Sequence, residues 1–360
     1  MFDRRLLQNF DWILLCLLIL ISAASLTNLY SAGGTQIVVK QAYWYLIGFG
    51  LLMIMTTFDY HALERLAWHI YLFTIILLVL VMVIGVISKG GQRWLKLGFI
   101  NIQPSELAKL SIVIILSRFF STHGEYPDYR LRDLWQPFLL MLLPCLLIKM
   151  QPDLGSALIL AIIAFSIILI MKVRWISLFI LASTVIPAAF AVYYSMKEYQ
   201  KKRIYTFFNP ESDPLGAGYH IIQSKIAVGS GLLTGKGFLK GTQTRLHFLP
   251  EQHTDFAFSV WSEEWGFIGS SILLVLYILL VLRGISIAKN SKDKFGSTLA
   301  IGITAIIFWQ MVINVGMTIG LFPVVGIPLV LFSYGGSSVL ATMLGMGLLM
   351  NISIRRFMFQ

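Results

Sequence analysis

Apolar runs of about 20 residues recur from one end of the sequence to the other, and no other feature limits the fold as tightly. The first is Trp12 to Leu29, inside a segment at 11–30. Others follow at approximately 41–57, 69–88, 105–121, 134–150, 154–171, 174–195, 256–282, 298–320 and 331–352. As a helix rising 1.5 Å per residue, a run of this length crosses the ~30 Å hydrocarbon core of a bilayer. Inside lipid the backbone must satisfy its own hydrogen bonds, and in apolar runs of this kind a helix does so. The expectation is one all-α domain over residues 1–360, a polytopic integral membrane protein of about ten transmembrane helices. Composition agrees: 57% of residues are hydrophobic and 12% charged, where a soluble domain carries about 25% charge. The first run is too long for a signal-peptide core and lacks a clear small-x-small cleavage site, so it reads as helix one. Cys16 and Cys145 lie far apart inside apolar runs and give no disulfide framework.

Charge sets the expected topology. Arg4 and Arg5, Arg65, Arg118, Arg130, Arg132, Lys172, Arg174, Arg283, Lys289, Lys292, Lys294, Arg355 and Arg356 fall on one side, against Lys40, Lys89, Arg93, Lys96 and Lys149 in short loops opposite. Positive residues stay in the cytoplasm, so both termini are expected there. The net charge of +11 comes with no basic tail or nucleic-acid module; lysines and arginines at helix ends facing lipid phosphate account for it. The stretch 196–254, between helices seven and eight, is a large extracytoplasmic loop. It is itself basic, with Lys197, Lys201, Lys202, Arg203, Lys225, Lys236, Lys240 and Arg245, and long loops escape the charge rule and are usually functional. Within it, Tyr219 to Leu233 is apolar but short, as an amphipathic or re-entrant helix would be. The absence of an obvious internal repeat weighs against a transporter of inverted repeats.

The residues able to do chemistry gather on the outer side, and each has an ordinary reading beside the functional one. Pro104 suits a first helical turn, and Glu106 and Lys109 share a helix face three residues apart, as a catalytic pair or as a helix-start ion pair. Asp153, in Gln151-Pro152-Asp153-Leu154-Gly155-Ser156, suits a helix N-terminus, where an acid is also the common cap. The loop lysines and arginines can hold lipid phosphates or form a solvated basic surface. In His253-Thr254-Asp255-Phe256, Thr254 is placed to cap helix eight with Asp255 in its first turn. An ionised carboxylate at a water–lipid boundary is what a general base requires, though an acid at a helix start is also commonplace. Glu263 and Glu264 lie deeper in that segment. Gly326-Ile327-Pro328 and Ser333 to Ser338 read as close packing or a broken helix. Gly231 to Gly237 only approximates a phosphate loop, with Ser230 and Gly237 where Gly and Ser or Thr are needed, and no HExxH, CxxC or GxSxG is present.

These stretches resemble the SEDS family (shape, elongation, division and sporulation), most closely its rod-shape members. The matching runs are Ser88 to Trp94, Gln103 to Glu106, Gln151 to Gly155, Asn209 to His220, Gln223 to Lys225, Gly235 to Gly237, Phe248 to Phe256 and Ser333 to Ser337, in family order across nearly the whole chain. The resemblance implies a peptidoglycan glycosyltransferase that polymerises lipid II into β-1,4 glycan on the outer face of the cytoplasmic membrane. It implies a class B penicillin-binding protein as transpeptidase partner. Mapped onto this chemistry, Asp255 is the general base. Arg93, Lys109 and Lys225 steady the pyrophosphate, Glu106 orients Lys109, and Asp153 binds sugar hydroxyls or helps hold a divalent cation, Mg or Mn. The competing expectations are a lipid II flippase and a non-catalytic scaffold of the elongation machinery. A flippase would line a path through the bilayer with polar residues, whereas here the helix centres are nearly bare of charge.

Overall fold

The computed structural model describes residues 10–88, 91–97, 100–123, 128–171, 173–196, 198–213, 216–246, 248–249 and 251–356. Arg4, Arg5, Lys89, Gly90, Lys172, Lys197, Pro214, Leu215 and Pro250, which entered the charge pattern or the motifs, lie outside those residues.

The long helix α1 (Trp12–Thr57) holds the first two expected spans. At 46 residues it would be about 69 Å if straight, and it breaks at Gly34, whose φ of 70° and ψ of −174° are non-helical. Ser25 before the break and Gln41 and Tyr45 after it all reach the carbonyls of residues 331–333, so the chain reverses there. Helix α2 (His61–Ile84) is followed by three short strands, β1 (Val86–Ser88), β2 (Gly91–Leu97) and β3 (Ile100–Ile102). They form an antiparallel sheet in which Val86 pairs Trp94 and Leu95 pairs Ile102. The sheet is a small addition to the expected all-α architecture, which otherwise holds. The run 69–88 was too apolar to show that the chain leaves the helix at Gly85 and pairs its edge with the polar residues that follow.

Helices α3 (Pro104–Thr122), α4 (Trp135–Met150), α5 (Leu154–Ile170) and α6 (Trp175–Tyr194) supply the next four spans. Pro104 occupies the first turn of α3 as its fixed φ favours. Asp153 caps α5 by accepting from the Ser156 amide at 3.2 Å. Helix α6 stands at the rim, with Trp175, Ile176, Phe179 and Tyr194 exposed where a bilayer would cover them. The large loop is itself structured, into α7 (Glu198–Phe208), α8 (Ala217–Ser230) and the single turn α9 (Thr242–Arg245). Helix α8 packs against the bundle through Ile221, Ser224 and Ala227, all buried, and Ser224 bonds both the Ser259 hydroxyl and the Thr318 carbonyl.

The remaining spans are α10 (Ala257–Lys289), α11 (Lys294–Thr318) and α12 (Gly336–Arg355). Helix α10 breaks at Gly266, and loop residues 232–237 pair with the freed groups: Phe267 and Ile268 amides donate to Leu232 and Leu233 carbonyls at 2.8 and 3.0 Å. Lys236 and Gly237 amides donate to Glu263 and Glu264 carbonyls, both at 3.0 Å. Beside the break, Glu263 is fully buried and accepts from Lys236 Nζ at 2.7 Å, Thr242 Oγ1 at 3.1 Å and the Gln243 amide at 3.1 Å. The two acids flagged in the sequence thus staple the large loop to the helix. The apolar core runs through α1, α3, α5, α10, α11 and α12. This is the architecture of a multi-pass membrane protein.

Candidate active site

The segment between α11 and α12 organises the loop end of the bundle. Residues 320–335 are non-helical, yet Ile327, Leu329, Val330, Leu331 and Phe332 are buried. Irregular backbone at that depth survives where protein groups satisfy it. Here Ser25 Oγ donates to the Phe332 carbonyl at 2.7 Å, Tyr45 hydroxyl to Leu331 at 2.6 Å and Gln41 Nε2 to Ser333 at 3.3 Å. Tyr277 hydroxyl donates to the Val330 carbonyl, and Ser333 Oγ accepts from the Leu329 amide at 2.9 Å. The sequence places the start of helix ten at 331; the helix begins at Gly336 because these carbonyls are held from outside.

Asp255 lies against this segment. It sits in the turn before α10, which begins at Ala257 with Phe256 as its N-cap residue and no side-chain cap. The expectation that Thr254 caps the helix is therefore corrected: its hydroxyl donates back to Glu251 at 3.0 Å. The turn is strapped to its surroundings by the Gln252 side chain to the Ala32 carbonyl at 2.7 Å and the Tyr334 amide to the His253 carbonyl at 2.8 Å. Gly326, with φ of 73°, faces the carboxylate, and a side chain there would put its first carbon 3.5 Å from Asp255 Oδ2. The positive φ is what calls for a glycine here, since a first side-chain carbon at 3.5 Å would be in ordinary contact.

Of the other expected site residues, Lys225 meets the same segment and Asp153 lies two residues from Gly155, which does. Arg93, on β2, donates through Nε to the Gln151 carbonyl at 3.4 Å and through a terminal nitrogen to the Pro152 carbonyl. Its guanidinium also stands 3.7 Å from Asp153. One cation thus caps the negative end of α4 and pairs with the acid that starts α5. Gln103 Nε2 reaches Asp153 at 3.5 Å, and the Gln103 amide bonds Ser337 of α12 at 3.2 Å. Gly155 of α5 abuts the Val325 carbonyl, one residue from the glycine beneath Asp255. From the loop, the exposed Lys225 side chain runs across Gly320, and Arg203 reaches the Val324 carbonyl at 3.4 Å.

Glu106 and Lys109 form a separate layer. Their ion pair is 2.7 Å long, and the residues are 6% and 3% exposed. They line a small cavity of about 10 Å³ with Gln310 and Thr342, space for roughly one water molecule. The sequence groups this pair with Arg93 at the surface; the structure sets it within the bundle, between α3, α11 and α12.

Half-buried His220, at the start of α8, stacks on Phe256 with ring centroids 6.2 Å apart. Burial pushes its imidazole below the usual 6.5, with Arg203 acting in the same direction and Glu251 and Asp213 opposing. The fit of a divalent cation is poor. Among the described residues no group of three or more His, Cys, Asp or Glu side chains is placed to hold one, and both Asp153 oxygens already accept from Ser156, at 3.2 and 2.8 Å. No step below runs through a metal.

Sequence reasoning missed the neutral amides Gln41 and Asn314. Asn314 donates to the Asp255 carbonyl at 2.9 Å and the Ile327 carbonyl at 2.8 Å. The available signal was a buried-looking amide in the middle of an apolar run, which in lipid needs a partner.

Comparison with known proteins agrees with this architecture. Residues 5–357 match the family model FTSW_RODA_SPOVE, described as cell cycle protein. The chain is 42% identical to peptidoglycan glycosyltransferase MrdB of Escherichia coli K12 over 355 residues, 97% of this chain and 95% of that one. It is 32% identical to peptidoglycan glycosyltransferase RodA of Treponema pallidum, over 98% of this chain and 99% of that one. Among solved structures, a chain from a peptidoglycan synthase complex that coordinates polymerization and crosslinking superposes with a TM-score of 0.84 at 32% identity, covering 97% of this chain and 98% of its own. The rod shape determining protein RodA of Thermus thermophilus superposes with a TM-score of 0.74 at 30% identity, with the same coverage. The protein belongs to the FTSW_RODA_SPOVE family of cell cycle proteins, the shape, elongation, division and sporulation family that its motifs resemble.

Proposed function

We propose that the Asp255 turn and the extended segment beneath it form the catalytic floor of a lipid II polymerase. The chain is a peptidoglycan glycosyltransferase, as its relatives over nearly its whole length are. Its substrates are two lipid-linked disaccharides in the outer leaflet of the cytoplasmic membrane, with both chain termini in the cytoplasm. Asp255 takes the proton from the acceptor 4-hydroxyl as that oxygen attacks the anomeric carbon of the donor. The bond to the pyrophosphate breaks, undecaprenyl pyrophosphate leaves, and the α-linked donor becomes a β-1,4 linkage. General-base assistance of this kind is worth about 10²- to 10⁴-fold.

The observation that carries the reading is the placement of the Asp255 carboxylate 3.5 Å from where a side chain at Gly326 would begin, on a segment whose Val325 carbonyl Gly155, two residues after Asp153, also abuts. A base must be held within reach of the acceptor, and the turn that carries Asp255 is strapped on both sides. Arg93 and Lys225 are the cations available to a pyrophosphate, because Arg93 is partly exposed and Lys225 exposed. Lys109 is buried and its charge is matched by Glu106, which keeps it oriented, so any help it gives the pyrophosphate comes through that pair. The apolar outer faces of the helices carry the polyprenyl chains. A transpeptidase of the class B penicillin-binding type is the proposed partner, docking on the membrane-embedded helices.

Polymerisation of purified lipid II in liposomes, with and without that partner, tests the reading. Glycan strands are the expected product. Transfer of lipid II between leaflets without polymer supports the flippase, and neither activity from a folded, partner-bound protein supports the scaffold.

A further inference from the structure

We infer that Asn314 of α11 is a positioning residue for the reaction, acting through Asp255; the inference rests on the base role proposed for Asp255. Its side chain is fully buried. Its amide nitrogen makes two hydrogen bonds, to the carbonyl of Asp255 at 2.9 Å and to the carbonyl of Ile327 at 2.8 Å. One of these residues carries the carboxylate. The other follows Gly326, the residue the carboxylate faces. One amide group therefore ties the backbone that carries the base directly to the floor in front of it.

Two further observations separate this from ordinary packing. The turn at the end of the non-helical segment is held without Asn314: Ser25, Gln41, Tyr45 and Tyr277 from α1 and α10 bind the carbonyls of residues 330–333. Asn314 ties that held segment to the carbonyl of Asp255 itself, where the Tyr334 amide ties it to His253, two residues earlier. The amide oxygen of Asn314, by contrast, has no hydrogen-bond partner among the described residues. A buried polar atom left unpaired is costly, and an apolar side chain of similar volume would avoid that cost. What the asparagine offers in return is its pair of donors. Misplacing a reacting group by about 1 Å costs on the order of 10²-fold in rate, so a fastening at the base itself has leverage on turnover.

The test is Asn314→Leu, in the wild-type protein and in an Asp255→Asn background, with polymerisation of purified lipid II followed as kcat and KM and with thermal unfolding in detergent. The expected result is a fall in kcat of about 10- to 100-fold with KM within about twofold. Asn314→Ser, which keeps one donor, recovers part of the loss. In the Asp255→Asn background the same Asn314→Leu change causes no additional fall, because the residue it positions is already gone. Wild-type kcat in a folded Asn314→Leu protein overturns the positioning role. So does an equal loss in both backgrounds, which assigns the residue to folding. If Asn314→Leu does not fold, Asn314→Ser decides alone: reduced kcat at unchanged KM supports the role and wild-type kcat removes it. Wild-type activity in Asp255→Asn itself overturns the base reading, whereas an inactive Asp255→Asn beside a fully active Asn314→Leu overturns the positioning role only.

Discussion

At the end of the bundle that carries Asp11 and Ile354, charged residues staple regular helices together. Asp11 is nearly inaccessible and accepts from Arg283 at 2.9 Å, from Ser353 at 3.1 Å and from the Leu14 amide at 3.1 Å, joining α10 and α12 to the start of α1. Asp293 caps α11 through the Gly296 amide at 2.7 Å and accepts the Tyr60 hydroxyl. At the opposite end the same residue types meet backbone that has left the helix. Arg93 binds the carbonyls of a turn, Asn314 binds two carbonyls of irregular segments, and Asp255 faces a glycine of positive φ. At the first end the polar groups fasten helix ends; at the second they also bind backbone that has left the helix. Composition alone does not distinguish the two ends, and the difference lies in what the charges are bonded to.

That contrast can be broken from either side. The largest expected effect on stability is at the first end. Arg283→Met leaves the Asp11 carboxylate buried without its cation, a change that typically costs about 3–5 kcal/mol. Denaturant or thermal unfolding in detergent should show it, while kcat per folded molecule stays at the wild-type value. The next effect is at the second end and has the reverse signature. Gly326→Ala forces a side chain into a conformation of φ 73° in front of Asp255, and polymerisation should fall by roughly 10- to 100-fold with a stability loss of only about 1–2 kcal/mol from the strained backbone. Asp153→Ala joins both signatures. It removes the cap of α5, worth about 1 kcal/mol, and it frees Arg93, so the apparent affinity for lipid II should weaken as well.

The smallest effect is a pH dependence from His220. Its folded-state pKa lies below 6.5 because burial opposes the charged ring, so the unfolded chain binds the proton more readily. The contribution to stability is fully present above about pH 6.5 and is lost as pH falls through that value. Unfolding measured between pH 7.5 and 5 should show this slope, and His220→Gln should remove it.

The sequence discloses the spans well because each must bury some 20 residues in hydrocarbon, a demand that leaves a long apolar run. It also discloses Pro104 at a helix start and Asp153 as a cap, since both depend on neighbours in the chain. It does not disclose the segment 320–335. Leu331 and Phe332 read as the start of helix ten, and what holds them in a turn instead is Ser25, Gln41, Tyr45 and Tyr277, all distant in sequence. The sheet of β1 to β3 was hidden for a related reason: strands of three residues carry too little periodicity to be recognised. Glu106 and Lys109 were paired correctly by spacing, but their depth was not legible, because burial depends on which helices close over them.

The central claim is that Asp255 is the base of a lipid II polymerase, and Asp255→Asn tests it most directly. The substitution keeps the shape of the side chain and removes its ability to take a proton. Polymer formation from purified lipid II should fall by at least about 100-fold, with unfolding temperature and partner binding as in the wild type. Polymerisation at the wild-type rate by a folded Asp255→Asn protein would contradict the account and move the base to another acid of the loop end, with Asp153 and Glu106 the first to examine.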